Sequence, residues 1–174
     1  YGVYSKGFDN ITIKDCDIYE GNVSGNNKYG IYLLGMNNSL IENITIKTIG
    51  SYSQGIELNN SNFNNLTSLK INTSGNYAHG IDLQGEGNNN SFYDLTILNG
   101  GSYTYGINVL GANNTFRKFK ILKEGLMFFP PPPGSMPYEG IRIKGDGRKD
   151  NLFEEGSILT IRRGIVIDAA DYNR

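Results

Sequence analysis

Two carboxylates hold equivalent places in neighbouring units of the sequence, Glu57 in Gly55-Ile56-Glu57-Leu58 and Asp82 in Gly80-Ile81-Asp82-Leu83. If those units lie side by side as strands, the carboxylates stand about 5 Å apart, where one charge raises the other's pKa. That is the short separation of a retaining glycoside hydrolase, with one carboxyl as nucleophile and the other as acid and base. His79, just ahead of the second unit, would donate a proton or orient a carboxylate. Tyr32 and Asn108 occupy the same place in Gly30-Ile31-Tyr32-Leu33 and Gly106-Ile107-Asn108-Val109. A carbohydrate-binding row would therefore comprise Tyr32, Glu57, His79, Asp82 and Asn108. Polar side chains on an exposed strand face also serve solubility alone, so the expectation is no catalytic residue, with Glu57, Asp82 and His79 the set to examine if the chain were an enzyme.

The remaining composition narrows the chemistry. One Cys (Cys16) and one His in 174 residues exclude an internal disulfide and leave no Cys/His zinc set. Met36, Met127 and Met136 add no cluster of soft ligands for copper, so no metal and no cofactor are expected. A net charge of −1 and a pI near 5.9 lack the basic surface that nucleic-acid binding requires. The apolar runs fall short of the ~20 residues of a membrane span. The sequence opens on Tyr1 without an initiator Met or a signal peptide, and so reads as a mature chain or an excised piece.

The elements that must position these residues follow from a repeat. Gly and Asn, at 23 residues each, disfavour helix and suit corners. A Gly-Ile/Val-x-apolar unit recurs at Gly2, Gly30, Gly55, Gly80, Gly106, Gly140 and Gly164. Between successive copies falls an apolar-x-x-apolar-x-Ile unit. It is read as Phe8-x-x-Ile11-x-Ile13, Ile41-x-x-Ile44-x-Ile46, Leu66-x-x-Leu69-x-Ile71, Phe92-x-x-Leu95-x-Ile97 and Phe116-x-x-Phe119-x-Ile121, with a looser copy at Phe153-x-x-Gly156-x-Ile158. Neither short strand buries its apolar side alone. Stacking coils about 4.8 Å apart pairs the backbones in parallel and aligns Ile31, Ile56, Ile81, Ile107, Ile141 and Ile165 in one column. The expectation is an all-β, single-domain parallel β-helix over residues 1–174, of about six coils with ~25 residues each.

Gly-Ile-x-Leu, then Asn-Asn-Thr/Ser, then apolar-x-x-apolar-x-Ile resembles the right-handed parallel β-helix repeats of carbohydrate-binding and sugar-hydrolase type. Pectate-lyase-like, NosD-like and many archaeal cell-surface proteins share them. The resemblance implies the right hand and an active site, where there is one, on the outer face of the first sheet. The pectate-lyase calcium Asp set and the polygalacturonase Gly-His-Gly are missing here, since His79 stands in Ala78-His79-Gly80.

Outside this row, Tyr52, Tyr77 and Tyr103 share one register, as a stiffening ladder or a flat platform for sugar rings. Asn37/Asn38, Asn62/Asn64, Asn88/Asn89 and Asn113/Asn114 are expected to form a corner ladder. Asn-x-Ser/Thr sequons at Asn10, Asn22, Asn37, Asn43, Asn59, Asn65, Asn72, Asn89 and Asn113 suit an extracellular or cell-surface glycoprotein. An insertion at about 124–138 carries Phe128, Phe129, Pro130, Pro131, Pro132 and Pro133, whose polyproline segment is expected to contact a partner subunit. The first two thirds of the chain are net acidic and the last third net basic. With uncapped strand edges at both ends, this suggests head-to-tail self-association. The function expected first is thus a non-catalytic extracellular structural module of a surface layer, sheath or filament. A polysaccharide-active or carbohydrate-binding β-helix stands second, and a tailspike-like receptor-binding protein third.

Overall fold

The computed structural model describes residues 1–20, 25–123, 139–144, 150–160 and 163–168. The insertion carrying Phe128 to Pro133 and the sequon at Asn22 lie outside them. The strands in chain order are β1 (Val3–Lys6), β2 (Thr12–Tyr19), β3 (Ile31–Leu34), β4 (Leu40–Thr48), β5 (Ile56–Asn59), β6 (Asn65–Thr73) and β7 (Ile81–Gln84). They continue as β8 (Ser91–Asn99), β9 (Tyr105–Val109), β10 (Thr115–Lys123), β11 (Glu139–Lys144), β12 (Leu152–Glu154), β13 (Ser157–Leu159) and β14 (Arg163–Asp168).

Two parallel sheets result. The first runs β1-β3-β5-β7-β9-β11-β14, and the second β12-β10-β8-β6-β4-β2, with β13 also on β10. Together they wind a β-solenoid of about five turns, ~26 residues per turn, close to the expected six coils. The Gly-Ile units are the first sheet, in the expected register: Ile31 pairs with Ile56, Ile56 with Ile81, Ile81 with Ile107 and Ile107 with Ile141. All five are fully buried. The repeated glycine is a packing requirement. A Cβ on Gly55 would stand 2.4 Å from Ile71 Cγ2 and 2.6 Å from the carbonyl oxygen of Gly80.

The long strands explain the odd i, i+3, i+5 spacing of the second unit. Asn43, Ser68, Asp94 and Lys118 sit mid-strand with φ of 51–56°, and the pairing skips them. One left-handed residue turns the strand, so that Ile41 and Ile44 both point inward although three positions apart. This geometry corrects the reading of the first copy. Ile13, Cys16 and Ile18 pair with Ile41, Ile44 and Ile46, so the unit is Ile13-x-x-Cys16-x-Ile18 rather than Phe8-x-x-Ile11-x-Ile13. A cysteine in the middle apolar slot concealed it. Inside, Phe92, Phe116 and Phe153 stack at 4.4 and 4.7 Å.

Asparagine forms two corner ladders instead of one. Asn64, Asn90, Asn114 and Asn151 make the inner one. The Asn64 amide donates to Asn90 Oδ1, Asn90 to Asn114 Oδ1 and Asn114 to Asn151 Oδ1, at 3.0–3.1 Å. In the outer ladder, Asn37, Asn62 and Asn88 each accept a backbone N–H from the next rung. Asn38, Asn89 and Asn113 belong to neither, and supply the positive φ of the corner between them.

Candidate functional site

Parallel pairing delivers the expected row on the outer side of the first sheet. Tyr4 faces Tyr32, Tyr32 faces Glu57, Glu57 faces Asp82, Asp82 faces Asn108 and Asn108 faces Arg142, each one rung on. The expectation that these side chains point into solvent is corrected for the middle of the row. Glu57, Asp82 and Asn108 are 8%, 2% and 4% exposed, whereas Tyr4 is 51% exposed. The row therefore leads from an open aromatic end to an enclosed polar interior. Around Asp82 the enclosure is hydrogen-bonded: Gln84 Nε2 donates to both carboxylate oxygens at 2.8 and 2.9 Å, and Asn108 Nδ2 donates to Oδ1 at 2.8 Å.

Burial first, and the Asp82 charge second, push Glu57 up to about 7, with an opposing hydrogen bond from Asn59. Tyr29, in the column beside the row, is pushed up to about 12 by burial and then by Glu57. His79 lies in that side column as well. It packs against Tyr105 at 4.7 Å between ring centroids, and its Nδ1 accepts the Tyr105 backbone N–H at 3.0 Å. Burial holds it below the ordinary imidazole value, so it is a neutral ring whose Nδ1 lone pair is already used. Arg142 donates to the Tyr105 hydroxyl at 3.0 Å. Asn108 Oδ1 is the one buried side-chain oxygen or nitrogen without a hydrogen-bond partner among the described residues.

At the open end, Tyr1 stacks on Tyr29 and Tyr4 on Tyr32, both with 10° between ring planes. Because the rings face one another along the solenoid axis, they turn edges and hydroxyls outward. Tyr52, Tyr77 and Tyr103 do the same at 4.8 and 4.9 Å, with planes 3° and 7° apart. Their faces are spent on one another, so they form the ladder and not the flat platform.

A polar column inside the solenoid escaped the sequence reading. Thr48, Thr73, Asn99 and Lys123 stand on successive rungs and are 0–3% exposed. Lys123 Nζ donates to Asn99 Oδ1 at 2.5 Å, to the Gly101 carbonyl at 2.7 Å and to Thr104 Oγ1. Burial pulls its amine down to about 8. The signal was present two residues after each Ile of the second unit, where Ile46-x-Thr48, Ile71-x-Thr73, Ile97-x-Asn99 and Ile121-x-Lys123 recur.

No group of three or more His, Cys, Asp or Glu able to hold a metal ion occurs among the described residues, and no described helix is long and apolar enough to cross a membrane. Of the sequons, Asn10, Asn43, Asn65, Asn89 and Asn113 are exposed, while Asn37, Asn59 and Asn72 are half-buried. The Asn37 amide is further tied to Asp9 Oδ1 at 3.1 Å. No protein-family model matches the chain, and no curated protein or solved structure shows significant similarity to it.

Proposed function

We propose that this protein is a non-catalytic, saccharide-binding β-solenoid of the cell surface, and that its binding face is the outer side of the first sheet from Tyr4 to Arg142. The observation that carries this reading is the free Oδ1 of Asn108, enclosed beside Asp82. An unmet buried acceptor costs about 1–3 kcal/mol, a cost that a ligand hydroxyl in that place offsets. The phenol edges of Tyr4 and Tyr32 continue the same row of hydroxyl partners toward solvent. Catalysis is disfavoured by the same contacts. Both Asp82 oxygens already accept amide hydrogens, and the His79 Nδ1 lone pair is occupied. Exposed sequons, those at Asn10, Asn89 and Asn113 between strands, favour the surface location.

Calorimetric titration with a panel of neutral and charged oligosaccharides tests the reading. Tyr32→Ala and Asn108→Ala are expected to weaken binding at least tenfold, and Tyr77→Ala, in the remote ladder, to leave it unchanged. Turnover that vanishes in Glu57→Ala and Asp82→Ala would overturn the non-catalytic part. A second reading, structural assembly through the ends, is favoured by one observation. Ile165 and Ile167 of β14 continue the core columns yet are 52% and 50% exposed.

A further inference from the structure

Three groups in the enclosed part of the row offer hydrogen-bond acceptor positions. Glu57 contributes a carboxylate, and Asp82 the lone pairs left after its amide bonds. Asn108, 4% exposed, contributes its free Oδ1. Asn108 cannot turn its amide to supply a donor without breaking its bond to Asp82 and setting two oxygens against each other. Among the described residues, Asp82 is the charged group that acts on Glu57, and it acts unfavourably. A ligand that completes this site brings donors, and positive charge on it is favoured beside Glu57.

Resting on the reading that this face binds saccharide, we infer that Glu57, Asp82 and Asn108 form a subsite for a protonated primary amine, so that the saccharide recognised is an amino sugar and not a uronic acid. An ammonium offers three donors on one centre and neutralises the paired carboxylates. A uronate would add a third negative charge. A calcium ion, which takes six to eight oxygens at about 2.3–2.6 Å, fits poorly where both Asp82 oxygens already accept amide hydrogens. The row is open to solvent at its tyrosine end, where Tyr1 and Tyr4 are 62% and 51% exposed.

The test titrates the whole chain at pH 7 with a glucosamine tetramer, its N-acetylated counterpart, a galacturonate tetramer and calcium ion alone. Binding of the glucosamine tetramer at least tenfold tighter than the acetylated one is expected. Both Glu57→Gln and Asp82→Asn should abolish that preference, with circular dichroism and thermal melting confirming that each variant is folded. Equal affinity for the two tetramers, or tighter binding of the galacturonate, overturns the amine subsite and leaves saccharide binding standing. Saturable calcium binding lost in both variants overturns it in favour of a metal site. Binding of none of the four overturns both.

Discussion

Glu57 has a carboxylate one rung away and almost no water to share the charge with, so its ionisation is felt by the fold itself. In the unfolded chain it ionises near 4.5, whereas in the folded chain it keeps its proton up to about 7. Between those values the folded state binds more protons, so stability falls as pH rises from about 4.5 to about 7 and levels off above. Lys123 works with the opposite sign. Its folded value near 8 lies below the ordinary 10.5, so its burden is present below 8 and is relieved as pH rises toward 10.5. Urea unfolding across pH checks the acid limb. Glu57→Gln is expected to flatten the decline between pH 5 and 7 and to be more stable than the parent above pH 7 by about 1–2 kcal/mol, allowing for residual solvent screening. An unchanged slope would mean that Glu57 is not the titrating group.

At the scale of the element, each coil is closed by corners whose backbone groups are met by side chains of the neighbouring coil. Asn90 shows the dependence most fully. Its Oδ1 accepts the Asn64 backbone N–H and side-chain amide, and its own amide donates to Ser61 and Asn114. Asn90→Ala leaves buried groups on two rungs unpaired, and is expected to cost about 2–4 kcal/mol in urea unfolding. Asn113→Ala removes only an exposed residue of positive φ and should cost about 1 kcal/mol. Equal losses at the two sites would show that the inner ladder carries no special share. Much at this scale was legible, because period-two strands and Asn/Gly corners repeat openly. The mid-strand turn was not, since residues as different as Asn43, Ser68, Asp94 and Lys118 adopt it.

For the whole molecule, the ends decide whether coils extend beyond one chain. Among the described residues the first sheet has seven strands and the second six levels, so a second copy placed on β14 through β1 would extend the first sheet and leave one level of the second for other residues to fill. In the register of the repeat, that placement sets Arg163 opposite Tyr1, a favourable cation–ring pair beside the exposed Ile165. Among the described residues nothing meets a Cβ placed on Gly164, whereas each earlier glycine of the column packs against the next rung. Sedimentation velocity over a wide concentration range is expected to show growth beyond the monomer that Ile165→Lys suppresses, and a single monomeric species at the highest concentration would sink the assembly reading. The amino-acid sequence by itself determined the solenoid, the register of the first sheet and the outward row from Tyr4 to Arg142. Those follow from periodicity, and parallel stacking converts a repeat in sequence into a column in space. Only the tertiary structure decided that Glu57, Asp82 and Asn108 are enclosed, that the tyrosine faces are spent on one another, and that Lys123 is held inside. Burial and ring orientation depend on what neighbouring coils place around a side chain, and spacing along one chain does not carry that.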